Sequence, residues 1–134
     1  MRFLLDTNAC ISYLNNPVSP IRSKMSRLPP SAIFICSVVK AELFYGVLKS
    51  GNPPNNMEKL NIFLKQIQSL PFDDDSALIF GEVRAQLSRI GRPIGPYDLQ
   101  IAAIALQHKL TLVTHNLAEF NRVPDLHCED WENK

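Results

Sequence analysis

Cysteine, glycine and net charge are all scarce in this chain. Its three cysteines (Cys10, Cys36, Cys128) are odd in number and show no CxxC or CxxH spacing. That argues against a disulfide framework and for free thiols in a reducing compartment. A zinc site has little support, because His108, His115 and His127 are not spaced as ligand pairs. No apolar stretch reaches the roughly 20 residues that a bilayer span needs, so no membrane partner is expected. Asp6 and Asn8 fall where a secretory leader would be apolar, so the expected location is cytoplasmic. Fourteen lysines and arginines against thirteen acids give a formal net charge of only +1. Bulk charge therefore makes no case for nucleic-acid binding.

What is present suits a packed core. Of 134 residues, 46% are hydrophobic and 20% charged, proportions ordinary for a globular protein. This length suggests one domain, residues 1–134. No repeat or low-complexity segment interrupts it. Pro29-Pro30 and Gly51-Asn52-Pro53-Pro54 read as turns rather than boundaries.

Strand and helix signals alternate. Residues 2–6 read as a strand and 8–15 as a short helix. Ser19-Pro20 opens a helix to about Arg27. Residues 32–36 form a second apolar strand, and Ser37 is positioned to cap a helix through about Lys49, stopped by Gly51. Residues 54–69 carry apolar side chains at helical spacing. Leu70-Pro71-Phe72 makes a poor strand, short or at an edge, because proline cannot donate to a ladder. One of Asp73, Asp74 and Asp75 caps a helix to about Ile90, and Pro96 opens another to about Lys109. Residues 110–114 form a strand, and 126–128 offer a last one. This alternation predicts an α/β fold, three layers with a central, mostly parallel sheet. In such sheets ligands bind beyond the carboxyl ends of the strands, where strand order reverses.

Acids stand at the edges of the apolar segments. Asp6 ends the first strand, where it could simply cap the helix that follows. Glu42 shares a helix face with Val38, Val39 and Tyr45. Asp98 begins a helix apolar on nearly all sides, whose residues on its own face are Ile101, Ala102 and Ala105; a helix-terminus role is the competing reading. After residues 110–114 come Thr114, Asn116 and Glu119. The last two could form a turn or a capping box. A carboxylate at the edge of an apolar core is costly unless a cation or hydrogen bonds meet it. Oxygen-only ligands suit Mg²⁺ or Mn²⁺ better than zinc. Two such ions about 4 Å apart can activate a water and stabilise the leaving oxygen of a phosphodiester. Arg84, Arg89 and Arg92 cluster, as do Arg22, Lys24 and Arg27. Each set reads equally well as a basic patch or as a solvated helix face.

Four segments carry a resemblance. They are Leu4-Leu5-Asp6-Thr7-Asn8, Val39-Lys40-Ala41-Glu42-Leu43-Phe44-Tyr45-Gly46, Gly95-Pro96-Tyr97-Asp98-Leu99-Gln100-Ile101-Ala102-Ala103 and Leu112-Val113-Thr114-His115-Asn116-Leu117-Ala118-Glu119-Phe120. In this order, and over essentially the whole chain, they resemble the PIN domain. More narrowly, they are similar to VapC-type toxins of bacterial type II toxin–antitoxin pairs. The resemblance implies a Mg²⁺-dependent endoribonuclease, with Mn²⁺ as a substitute. It implies metal on Asp6 and Asp98, catalysis by Asp6, Glu42, Asp98 and Asn116, and support from Asn8, Thr114 and Glu119. Position 116 is asparagine where many PIN domains have aspartate, so either Asn116 or Glu119 completes the site. It further implies an RNA substrate, a homodimer, and a small antitoxin that supplies contact with DNA.

Other readings fit less well. Asp6-Thr7-Asn8 falls short of the Asp-x-Asp start of haloacid-dehalogenase-like phosphotransferases. A receiver-like domain would need a second acid beside Asp6, and residues 2–5 offer none. A PIN-like module that binds RNA or a partner without cutting is the main alternative.

Overall fold

The structure is a computed structural model that describes residues 1–132. Strand β1 (Phe3–Leu5) is followed by α1 (Thr7–Asn15) and α2 (Pro20–Ser26). Then come β2 (Ile33–Cys36), α3 (Ser37–Leu48), α4 (Pro53–Lys65) and β3 (Gln68–Leu70). The chain continues with α5 (Asp74–Arg89), α6 (Pro96–His108), β4 (Thr111–Val113), α7 (Leu117–Phe120) and β5 (Cys128–Glu129). The five strands form one sheet in the order β3-β2-β1-β4-β5, and every neighbouring pair is parallel.

Parallel strands need crossovers, and the helices supply them while covering the sheet. The three central strands are buried at every position, as two-sided cover requires. Leu4, Leu5, Ile35 and Leu112 are completely inaccessible, as are Ile101 and Ile104 of α6. The α/β expectation holds, and the sheet is wholly rather than mostly parallel. Its order reverses at β1, which pairs with β2 on one side and β4 on the other.

Local differences from the sequence reading have simple causes. The helical spacing read over 54–69 stops at Lys65, and Gln68–Leu70 instead pairs with β2 at the sheet edge. Pro71 ends that strand at once, having no N–H to offer. Ser37 is the first residue of α3 rather than its cap. Cys36 takes the cap position without a side-chain bond, and the Ser37 hydroxyl donates to Leu70 O at 3.5 Å. Of the three candidate aspartates, Asp73 caps α5. Its Oδ1 accepts from Ser76 N at 3.0 Å and from Ser76 Oγ at 3.1 Å, while Gln107 Nε2 of α6 donates to Oδ2 at 3.2 Å. The cap thus also ties α5 to α6, and these bonds hold the Asp73 carboxyl below the usual carboxylate range.

Core position should decide the effect of truncation. Leu4→Ala opens a cavity in the central strand and is expected to lower unfolding free energy by about 2–5 kcal/mol. Ile62→Ala removes a side chain that is 54% exposed and should stay within about 0.5 kcal/mol. Urea denaturation of both variants tests this; equal losses would contradict the assigned burial.

Candidate active site

The site grows from the carboxyl end of the sheet at β1 and β4. Leu5 lies opposite Val113, and the Asp6 backbone N–H donates to Val113 O at 3.1 Å. Asp6 and Thr114 therefore leave the sheet side by side. Both are buried, at 5% and 1% exposure. The Asp6 side chain does cap α1, its Oδ1 accepting from Ala9 N at 2.8 Å. It also accepts from the Thr114 hydroxyl. Burial raises the Asp6 carboxyl above its ordinary value despite these bonds, and the charges of Glu132 and Glu42 add to the rise.

Glu42 arrives from α3. It is half-buried, and its Oε1 accepts from the Thr7 hydroxyl at 2.6 Å. Thr7 is the first residue of α1, so a direct bond joins the Asp6 segment to α3. The helix face assigned to Glu42 is only partly covered. Val38 and Val39 are buried, whereas Tyr45 is 66% exposed. Asn8 is exposed and lines a groove of about 790 Å³ with Thr7, Glu42, Tyr45 and Tyr97.

Asp98 occupies the first turn of α6. Ile101, Ala102 and Ala105, the residues on its own face, have no exposed surface and offer nothing polar to a carboxylate. Its carboxyl is pushed up to about 7, first by burial and then by Glu119, with smaller contributions from Asp6 and Glu42. Asp6, Glu42, Asp98 and Glu119 thus share one electrostatic neighbourhood. Among the described residues, no lysine or arginine forms an ion pair with any of them.

Asn116 and Glu119 do not make a capping box. Asn116 makes no side-chain cap bond to α7. Its Nδ2 instead donates to Glu119 Oε2 at 2.8 Å, and its backbone N–H donates to Thr114 Oγ1 at 3.0 Å. Glu119 Oε1 accepts from Gly95 N at 3.1 Å, immediately before α6. The pair therefore bridges the β4 exit to the start of the Asp98 helix. All seven residues anticipated from sequence stand at this end of the sheet or on the groove beside it. Glu132 was missed. Its signal was available, since Asp130-Trp131-Glu132 follows the last strand and so emerges at the same sheet end.

The raised Asp6 and Asp98 carboxyls, grouped with Glu42 and Glu119 and paired with no lysine or arginine among the described residues, offer the hard oxygen donors that a divalent ion takes. Asp6 and Asp98 would hold such an ion, with Glu42 beside them. Asn116 and Glu119 stand where they could steady Asp98 or complete the ligand set.

Comparison with known proteins identifies the family. The PIN domain family model matches residues 3–126. The chain is 40% identical to the tRNA(fMet)-specific endonuclease VapC of Salmonella typhimurium, over 98% of each chain. It is 38% identical to ribonuclease VapC2 of Rickettsia felis, over 98% of this chain and 99% of the other. Among solved structures, DNA-bound VapBC from Salmonella typhimurium superposes with a TM-score of 0.92 at 40% identity, covering 98% of both chains. VapBC2 from Rickettsia felis, bound to a promoter DNA fragment, gives 0.91 at 38% identity, covering 98% of this chain and 99% of that one. The chain belongs to the PIN domain family, among its VapC ribonucleases.

Proposed function

We propose that this chain, as a single domain over residues 1–134, is the toxin of a toxin–antitoxin pair and a metal-dependent endoribonuclease that hydrolyses RNA phosphodiester bonds. The observation that carries the reading is the convergence of Asp6, Glu42 and Asp98 at the sheet's switch point, with no lysine or arginine paired to them among the described residues. The full-length likeness to a tRNA(fMet)-specific endonuclease makes initiator transfer RNA the first substrate to try. The likeness to VapBC complexes supports a cognate antitoxin that neutralises the chain and makes its contact with promoter DNA, since no DNA-binding motif stands out in the chain itself.

Each residue has a part. Asp6 and Asp98 hold the ion, Mg²⁺ by preference with Mn²⁺ as substitute. Glu42, steadied by the Thr7 hydroxyl, orients the attacking water. Thr114 fixes the Asp6 carboxylate, and Asn116 with Glu119 positions Asp98 from the other side. Asn8, exposed beside Thr7 and Glu42, meets the RNA strand. The bound ion supplies a Lewis acid that lowers the energy of the in-line displacement. Because water activated by the ion would be the nucleophile, the site needs no cysteine or histidine nucleophile. The protein works in the cytoplasm, where its RNA substrates are.

The exposed Tyr45 and Tyr97 on α3 and α6, at 66% and 59%, form a face suited to a second copy of the chain. Sedimentation equilibrium is expected to show a homodimer, and Tyr97→Glu to shift it toward monomer; a monomeric wild type would refute the assignment.

Purified protein should cut transfer RNA at discrete sites with Mg²⁺ and stop when EDTA is added. Asp6→Asn or Asp98→Asn should reduce cleavage roughly 100-fold or more with an unchanged far-ultraviolet spectrum. Full activity of either variant would sink the mechanism. Metal binding without cleavage of any RNA would favour the non-catalytic RNA- or partner-binding module.

A pH effect follows from Asp98. Its folded value of about 7 exceeds the ordinary 3.8, so the folded state keeps a proton that the unfolded chain releases. The stability this group contributes is complete below about pH 4 and is lost as pH rises through about 7. Metal-free wild type should therefore melt at a lower temperature at about pH 8 than at about pH 5.5. Asp98→Asn should flatten that dependence, as read by calorimetry in EDTA. Identical pH dependence in the two proteins would count against the strained carboxyl.

A further inference from the structure

A second group of ligand atoms lies one strand further along the same sheet edge. His115 follows β4, and Asp130 and Glu132 follow β5. His115 Nδ1 stands 2.9 Å from Asp130 Oδ2 and 3.7 Å from Glu132 Oε2. One ligand atom from each of the three residues lies within 4.8 Å of the other two. A tetrahedral ion with bonds of about 2.0–2.2 Å spaces its donors about 3.3–3.6 Å apart. The observed distances bracket that range, so modest side-chain rotation would seat an ion.

The backbone holds these residues in place. Leu112 N donates to His127 O at 2.8 Å, and Thr114 N to Glu129 O at 3.0 Å. Trp131 is 2% exposed, packs edge-on against Phe3 at 5.0 Å, and donates from Nε1 to Glu129 Oε1 at 2.9 Å. Asp130 Oδ1 accepts from Glu132 N at 2.9 Å, which turns Oδ2 toward the imidazole. The Asp130 side chain is only 7% exposed, the Glu132 side chain 30% and the His115 side chain 61%. The cluster is thus anchored in protein on one side and open to solvent on the other.

We propose that His115, Asp130 and Glu132 form a second divalent-cation site, separate from the Asp6–Glu42–Asp98 trio and selective for a transition metal. The donor set separates the two. The trio offers oxygen alone, which suits Mg²⁺. A nitrogen and two carboxylates favour Mn²⁺, Co²⁺ or Zn²⁺ over Mg²⁺. Glu132 links the sites, since its charge also acts on Asp6. Filling the second site would relieve the repulsion on the first.

Mn²⁺ is the probe, bound to the full chain carrying Asp6→Asn and Asp98→Asn, which disables the trio. The expected result is one Mn²⁺ per chain that excess Mg²⁺ does not displace, with a nitrogen-14 modulation in the pulsed electron-spin echo. Adding His115→Asn should weaken binding at least about 10-fold and abolish the modulation. Glu132→Gln should weaken binding while keeping the nitrogen signal. If the double variant misfolds, the wild-type count falling from two Mn²⁺ to one with His115→Asn serves instead. A trio-disabled chain that binds no Mn²⁺ overturns the proposal, as does unchanged affinity and echo after His115→Asn. No RNA is cut in this experiment, so its outcome is independent of the nuclease reading.

Discussion

The hydrogen bond from the Asp6 N–H to Val113 O is the constraint on which the site depends. It is the first contact beyond the paired residues of β1 and β4, and it lets Asp6 and Thr114 emerge together. Side chains alternate along a strand, so a register shift of one residue would carry Asp6 to the opposite face. The buried Leu4, Leu5, Leu112 and Val113 make such a shift costly. The other site residues reach this point through short local geometry. Glu42 is carried in on the helix that follows β2, β1's other neighbour. Asp98 opens the helix that leads directly into β4.

The core and the site pull in opposite directions. Parallel strands and the buried stretch of α6 from Ile101 to Ala105 supply apolar area, while the sheet edge gathers carboxyls that repel one another. Such crowding opposes folding, and a proton or a cation relieves it. The raised Asp98 carboxyl is the proton solution, available in metal-free protein near neutral pH. A divalent ion would replace that proton with a fuller charge. Stability is thereby lowered at the place where binding energy is needed, a common trade in active sites.

Much of this was legible in the sequence because the relevant signals are local. Asp6 sits where an apolar run stops, and Asp98 starts an apolar helix, so each announces its edge position. Pro71 pointed to a short edge strand, which lies at Gln68–Leu70 just before it rather than across 70–72. What stayed hidden depended on partners distant in the chain. Ser37 has the chemistry of a cap, but its hydroxyl turns to Leu70. Asn116 and Glu119 have capping-box spacing, but Gly95, 24 residues away, claims the glutamate. Tyr45 shares a helical face with two buried valines and yet stays exposed, because helix spacing alone does not say how far a neighbour reaches. Glu132 went unread because its link to Asp6 runs through the β4–β5 pairing, even though its place just after the last strand hinted at it.

The structural and functional readings of the acids are also not true alternatives. Asp6 caps α1, Asp98 lies in the first turn of α6, and Glu119 lies in the first turn of α7. Each acid therefore faces the positive end of a helix dipole. That interaction is worth about 0.3–1 kcal/mol at an ordinary surface position, enough to favour an acid there and to make capping a sufficient account of any one of them. It does not balance the group. Asp98 has its helix terminus and still rises to about 7, because burial and Glu119 outweigh the dipole. Helix ends make it tolerable to gather carboxylates at the sheet edge, and the charge they leave uncompensated is what draws a cation.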